Sequence, residues 1–191
     1  MNPTKNEVSL MLFISDIHGC LPALEKALEW ADKLNCQHLV LLGDILNHGP
    51  RNPVPEGYNP PKVADLLNQH AERILAVRGN CDSEVDQMLC SFPLLADYSN
   101  MLLGNKRAFI THGHLWNDSK LPPLAQGDII CFGHTHIPMA RWQNERLMFN
   151  PGSITLPKGG FAPSLGHFDG TLLTVMDLDG NTIEQAAIDE Y

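Results

Sequence analysis

The feature that most restricts the fold of this chain is a series of short apolar runs, each ending abruptly in glycine, carboxylate, amide or imidazole. Residues 8–14 lead into Ser15-Asp16-Ile17-His18-Gly19, and residues 38–42 into Gly43-Asp44. Residues 74–77 lead into Arg78-Gly79-Asn80-Cys81-Asp82. Two later runs stop at Thr111-His112-Gly113-His114 and at Gly133-His134-Thr135-His136. Runs that are apolar throughout are expected of strands buried on both faces. In open α/β sheets the crevice beyond the carboxyl ends of such strands is where ligands sit.

Between the first runs the period changes. Leu24, Ala27, Leu28, Ala31 and Leu34 recur at helical spacing, with Pro22 suited to a first turn, and a second helix is expected over 63–71. The order strand, helix, strand, loop, helix, strand implies a parallel α/β core. Residues 43–61 hold five prolines and three glycines, and so read as a long surface loop of the kind that is usually functional. The second half is mostly β. Strand-like runs at 107–111, 128–132, 139–143, 146–149, 172–177 and 182–188 are separated by hairpin tips at Asn144-Glu145 and Asp179-Gly180-Asn181. With no repeat and no linker, residues 1–191 read as one domain of two facing sheets with helices outside. Met88, Leu89 and Phe92 are expected in the core, and His38, His70 and His167 on the surface or in loops.

Composition narrows the partners. Thirteen Lys and Arg against 22 Asp and Glu leave a net charge of −9, which argues against binding nucleic acid or anionic membranes through a basic surface. No apolar run approaches the roughly 18 residues of a membrane span, and the polar N-terminus lacks a signal-peptide core. The five cysteines are odd in number and contain no CxxC pair, which favours a reducing cytoplasm over a disulfide or zinc framework. Four of them read as small hydrophobes, with Cys81 set apart by its position.

The polar clusters carry metal-site chemistry. On extended backbone, Asp16 and His18 leave on one side, as do His134 and His136, so each pair is able to face one ion or two adjacent ions. Flanking glycines allow close backbone approach. Mixed oxygen and nitrogen ligands without thiolates suit borderline cations. Asp16, His18, Asp44, Asn80, His112, His134 and His136 exceed the four ligands that close a structural zinc site, and fit two ions sharing a carboxylate.

In order and spacing, Asp16-x-His18, Gly43-Asp44, Gly79-Asn80, His112 and Gly133-His134-x-His136 resemble the calcineurin-like metallophosphoesterases, with Asn150-Pro151-Gly152-Ser153 also fitting. The stretches LGDILNHGPRN, AVRGNCDSEVDQML, THGHL, GHTH and NPGS-x-x-x-PKGG resemble the small bacterial YfcE-type subgroup. The resemblance implies an α/β fold, a four-layer α/β/β/α sandwich of two mixed sheets flanked by helices. It implies one metal on Asp16, His18 and His136, a second on Asn80, His112 and His134, and Asp44 bridging. Mn²⁺ is the expected ion, with Fe²⁺, Zn²⁺ or Ni²⁺ as alternatives. The implied reaction is in-line attack by a metal-bridging hydroxide on a small phosphodiester. Phosphomonoester or nucleotide-polyphosphate hydrolysis is the alternative on the same site, and a non-catalytic scaffold the alternative from another class. Small relatives of this kind also imply a homo-oligomer.

One position departs from the wider family, where histidine follows the Gly-Asn pair. Here it is Cys81, a weaker hydrogen-bond donor than an imidazolium. His114 is the substitute candidate for assisting the leaving group. Arg78 is a candidate phosphate clamp or else a member of a structural ion pair. Arg51 and His48, in the long loop, and the Pro157-Lys158-Gly159-Gly160 turn are candidates for the rim of the cleft.

Overall fold

The computed structural model describes residues 9–190. The expected first strand begins at Val8, which lies outside the described residues; within them β1 is Met11–Ile14. It is followed by α1 (Leu21–Lys33), β2 (His38–Leu41), α2 (Pro60–Asn68) and β3 (Ile74–Ala76). The three strands are parallel and adjacent. Their mostly apolar residues point alternately to the two faces, which is why the sequence shows runs here and not alternation. Leu12, Ile14, Leu39 and Leu41 pack beneath Leu24, Ala27 and Leu28 of α1 and Val63 and Leu67 of α2. The second helix starts three residues earlier than its hydrophobic spacing predicts. Pro60 and Pro61 occupy its first turn, where a missing N–H costs nothing, and the Asn59 side chain caps it by accepting from the Lys62 N–H.

The chain then forms α3 (Glu84–Leu89), β4 (Tyr98–Leu103), β5 (Lys106–Thr111), β6 (Ile129–Cys131), β7 (Met139–Gln143) and β8 (Arg146–Asn150). Strands β9 (Ser164–Phe168), β10 (Leu172–Asp177) and β11 (Thr182–Ala187) complete it. The first sheet has the order β11-β10-β9-β1-β2-β3, and the second β4-β5-β6-β8-β7. Both are mixed: β5, β6 and β8 are parallel, while β4, β7 and β9 to β11 pair antiparallel. The sheets face each other across Phe13, Val40, Leu42, Ile110, Ile129, Phe149 and Phe168. There Phe13 meets Phe149 edge-on at 5.2 Å. Cys20, Cys36, Cys90 and Cys131 are buried as expected of small hydrophobes.

The outer face of the second sheet is covered differently from the first. Phe109, Ile130, Phe132 and Met148 lie under Trp116, Leu121 and Leu124, which belong to the loop between β5 and β6 and not to a helix. Prolines 122 and 123 interrupt this loop, and two arginines of the sheet hold it down. Arg107 donates to the Pro123 carbonyl and the Asp128 carboxylate, and Arg146 to the Leu124 carbonyl.

Two core expectations are corrected. Met88 is 84 % and Leu89 44 % exposed, and only Phe92 of that trio is buried. The helix carrying them has six residues and is fixed by its capping box, in which Ser83 and Asp86 exchange hydrogen bonds, and by Cys90 and Phe92 beyond its end. His167 lies in β9, not in a loop, and is half-buried.

Candidate metal centre

The carboxyl ends of β1, β2 and β3 in one sheet and of β5 and β6 in the other meet at one edge of the sandwich. They deliver Asp16 and His18, Asp44, Asn80, His112, and His134 with His136. The turns are laced together by backbone bonds. The Asp16 N–H donates to Gly43 O (3.1 Å), the His18 N–H to Asp44 O (2.9 Å), and the Gly133 N–H to His112 O (2.7 Å). Gly79 is a point of close contact between two turns: a methyl group there would lie 2.1 Å from Asp44 Oδ1 and 2.2 Å from Asp44 N. Only a residue without Cβ lets these two turns touch.

The same-side placement of Asp16 with His18 and of His134 with His136 does not arise from extended backbone. All four sit in the left-handed region, with φ of 55°, 48°, 64° and 58°, as does Asp44 at 54°. Left-handed backbone is unfavourable for residues with a Cβ, by about 1–2 kcal/mol each, and is tolerated best by Asp, Asn and His. Such a concentration on five candidate ligands is strain held by the surrounding packing, of the kind that marks functional sites.

The side chains form two adjoining groups. In the first, His136 Nε2 and His18 Nε2 lie 3.1 and 3.6 Å from Asp16 Oδ1. In the second, His112 Nε2 lies 3.3 Å from Asn80 Oδ1 and 3.2 Å from His134 Nδ1. Asp44 Oδ2 stands between them, 3.8 Å from His18 Nε2 and 3.5 Å from His112 Nε2. Three of the imidazoles have their orientation fixed from behind. Nδ1 of His18, His112 and His136 faces the carbonyl of Asn47, Leu42 and Leu156 respectively. A carbonyl only accepts, so each Nδ1 carries a proton and Nε2, the nitrogen turned to the cluster, is the one whose lone pair is open to a metal when the ring is neutral, the usual arrangement behind a metal-ligating histidine. Asp16 Oδ1 and His18 Nε2 are fully buried without a hydrogen-bond partner. Buried polar atoms are seldom left so. A cation between these groups satisfies both, so the donor set fits a metal.

The sequence assigns no role to several supporting residues, and places Asn150 and Ser153 only in a stretch that fits the family. Ser15 Oγ donates to Asp16 Oδ2 (2.7 Å), which also accepts from the His134 N–H (3.0 Å) and leaves Oδ1 free for the cluster. Asp82 is buried, and its carboxylate accepts from the N–H of Asp44 (2.8 Å), Ile45 (2.8 Å) and Gly79 (2.7 Å), clamping the turn of Asp44 to that of Asn80. Asn150 donates to Gly133 O and Thr135 Oγ1, and Ser153 Oγ to Asp16 O. The Asn150–Ser153 stretch thus braces both ligand turns across the gap between the sheets.

The cluster's electrostatics follow from its burial. Burial by itself raises the Asp16 carboxyl, but the imidazoles of His136 and His18 set against it and the charge of His112 outweigh it and hold it well below the usual carboxylate range. Asp44 is lowered against its burial by its hydrogen bond with His112. Burial opposes protonation of His112, yet Asp44 and Asp16 push it up to about 9. His18 is raised for the same reason by Asp16. His134 goes the other way, pushed down to about 4 by burial and by the charge of His112. Two carboxylates thus recruit positive charge to the place where a metal fits.

A cavity of about 640 Å³ opens on the cluster, lined by Asp44, Asn80, His134 and His136 on one side and by residues of two loops on the other. Cys81 is in its wall. Its N–H donates to Asp44 Oδ1 (2.8 Å), and burial with the nearby carboxylates pushes the thiol pKa far up, so the group is a neutral thiol. Arg51 and Lys158 line the cavity; Arg78, His114 and His48 do not. The Arg78 guanidinium is paired with Asp97. His114 lies behind the cluster, with ring centroids 5.4 Å from His112 and 6.2 Å from His134, and its Nδ1 is buried without a partner. His48 packs edge-on against Tyr58.

A paired-sheet sandwich with Asp, Asn and His converging from its strand ends defines a metallophosphoesterase. The chain belongs to the calcineurin-like phosphoesterase superfamily, whose domain model matches residues 10–170. Phosphodiesterase YfcE of Escherichia coli is 52% identical over 179 residues, 93% of this chain and 97% of that protein. The solved structure of the E. coli YfcE phosphoesterase superimposes with a TM-score of 0.92 at 51% identity, covering 94% of this chain and 100% of that one. Vacuolar protein sorting 29 of Cryptosporidium parvum, at 19% identity and a TM-score of 0.61 over 94% of this chain and 98% of its own, shares the fold.

Proposed function

We propose that this protein is a dinuclear metal-dependent phosphodiesterase of the cytoplasm. The observation that carries the reading is Asp44 Oδ2 standing between two ligand groups, Asp16-His18-His136 and Asn80-His112-His134, at 3.8 Å from His18 and 3.5 Å from His112. The phosphodiesterase named among its relatives, 52% identical over nearly the whole chain, supports the diester as substrate. Asp16, His18, Asp44, Asn80, His112, His134 and His136 would hold the metal, Mn²⁺ being the first candidate, and the metal would supply an activated water for in-line attack and neutralise charge on the phosphoryl oxygens.

The chain's own residues do the rest. Asp16 and Asp44 supply anionic ligands whose second oxygens are tied to Ser15 and to the Cys81 N–H, so both carboxylates are oriented before any ion binds. The Nδ1 bonds of His18, His112 and His136 fix three more ligands in the required tautomer. Cys81 is the candidate group closest to hand for a leaving oxygen, since it lines the cavity and His114 does not. A neutral thiol donates weakly, so diesters with good leaving groups are favoured. Arg78 is held by Asp97, outside the lining. The five free cysteines support a reducing compartment.

The test is turnover of bis-p-nitrophenyl phosphate with added Mn²⁺, beside the matched monoester. Metal-dependent cleavage of the diester is expected, and Asn80→Ala or His134→Ala should abolish it while the protein remains folded. No metal-dependent turnover of either ester defeats the proposal, and a strong monoester preference revises it to phosphatase.

A further inference from the structure

The cavity over the metal cluster holds more positive charge than a simple phosphodiester needs. Arg51 and Lys158 both line it, and among the described residues neither side chain has a hydrogen-bond or ion-pair partner. Apart from Asp44 no carboxylate lines the cavity, and no aromatic ring other than the imidazoles of His134 and His136 does so. Its remaining wall is Asn47, Gly49, Pro50, Asn52, Asn80 and Cys81, which are short and mostly polar.

The two cations come from separate loops, and each loop is tied to a candidate metal ligand. Asn47 O accepts from His18 Nδ1 (2.9 Å), and the turn that follows is closed by Gly49 N–H to Asn47 Oδ1 (2.8 Å) and Asn52 Nδ2 to His48 O (2.9 Å), with Arg51 at its tip. The Lys158 N–H donates to His136 O (3.1 Å). Both side chains are therefore rooted beside the cluster on anchored backbone, while their charged ends are exposed to the cavity.

Asp16 and Asp44 offset only half the charge of two divalent ions, and a phosphodiester brings one negative charge. The ions and the diester thus leave nothing negative for Arg51 and Lys158 to meet. Paired with an anion on the substrate, a guanidinium and an ammonium become favourable contacts. A nucleobase, by contrast, calls for an aromatic platform, and the lining offers none.

We infer that Arg51 and Lys158 form a second anion subsite, and that the preferred substrate is a phosphodiester one of whose ester arms ends in a further anionic group, phosphate or carboxylate. This rests on the phosphodiesterase reading above and adds to it the chemistry of the arm.

The experiment uses three p-nitrophenyl alkyl phosphodiesters of equal length, whose arms end in a methyl group, a carboxylate or a phosphate. With the Mn²⁺-loaded protein, an anionic arm should raise kcat/KM about tenfold over the methyl arm, mostly through KM, and less at high salt. Arg51→Ala and Lys158→Ala should each remove roughly a threefold share of that preference. The double variant should remove all of it. Both side chains are exposed, so the variants are expected to fold. The carboxylate and phosphate arms identify which anion the subsite takes. Equal kcat/KM for all three esters, or a preference that survives in the double variant, overturns the inference. Calorimetric titration of the same esters reads the preference as Kd. If none is hydrolysed, the phosphodiesterase reading falls, and the order of Kd values still decides for or against the subsite.

Discussion

Replacing Gly79 by alanine adds one methyl group at the point where the turns of Asp44 and Asn80 touch. The methyl carbon would lie 2.1 Å from Asp44 Oδ1, 2.2 Å from Asp44 N and 2.8 Å from Asp44 Cγ. Relief requires a shift of about 1 Å, taken by the Asp44 backbone or by its carboxylate, both of which are held by hydrogen bonds. Gly79 does not have left-handed backbone, so the effect is steric and not conformational. Any such shift stretches a bond made by a buried group, either Asp44 N–H to Asp82 Oδ2 or Cys81 N–H to Asp44 Oδ1, both 2.8 Å. Overpacking costs about 1–3 kcal/mol. One buried donor left unpaired adds about 1–3 kcal/mol. Together they amount to roughly 2–6 kcal/mol, a fall in Tm of about 5–20 °C for a chain of this size. Displacing Asp44, the proposed bridging ligand, by about 1 Å should lower diester turnover about 100-fold or more. Thermal unfolding, elemental analysis for bound metal and diester kinetics on the same preparation read all three quantities. A Gly79→Ala protein with wild-type Tm, metal content and turnover would falsify the close-contact account of how Asp44 is placed.

The pH dependence of the metal-free protein has a definite sign. His112 is raised from 6.5 to about 9, so its contribution is complete below about pH 6.5 and is lost as pH rises through 9. The amount is on the order of 3 kcal/mol. Asp16 and Asp44 are lowered, so their contribution is present above about pH 4 and is lost on acidification. Metal-free protein should therefore be most stable near pH 5–6.5 and weaken towards pH 9, whereas added metal, which takes the proton's place, should flatten the alkaline limb. Denaturant melts across that range, with and without Mn²⁺, check this; an alkaline limb of equal slope in both would count against it. Asp82→Asn keeps the shape but leaves at least one of the three backbone N–H donors facing an amide NH₂. Removing a carboxylate that burial raises to about 6 offsets part of that loss, so stability should change little. Metal affinity should still fall about 10–100-fold, as for other groups that orient ligands from behind. Wild-type metal affinity in that variant would show that Asp82 merely fills space.

Much of the centre could be read from the chain because the seven candidate ligands sit, singly or in pairs, at the ends of five apolar runs. The spacing of Asp16, His18, Asp44, Asn80, His112, His134 and His136 along the chain was enough to gather them, once the runs were taken as strands with their carboxyl ends together. Helix α1, the proline-rich loop and both hairpin tips were equally local in origin. Elements whose stability comes from distant neighbours were not legible. Strand β4 pairs only along β5 and is exposed at alternate residues, and β9 contains Gly166 and His167, which carry no strand signal until β1 and β10 lie on either side. Met88 and Leu89 look like core residues only because a sequence does not say how far a short helix stands off.

The sequence by itself therefore determined the kind of chemistry: which residues bear ligand atoms, in what order, on an α/β frame. The tertiary structure decided how they act. It set five ligands on left-handed backbone, which local propensity disfavours and only packing from both sheets can hold. It tied Arg78 to Asp97, 19 residues away, and made Asp82 and Ser153 into supports through bonds to turns from other strands. It left Arg51 and Lys158, 107 residues apart in the chain, facing one cavity. Ligand identity is a property of single side chains, whereas partner choice depends on which turns the two sheets bring within hydrogen-bond reach.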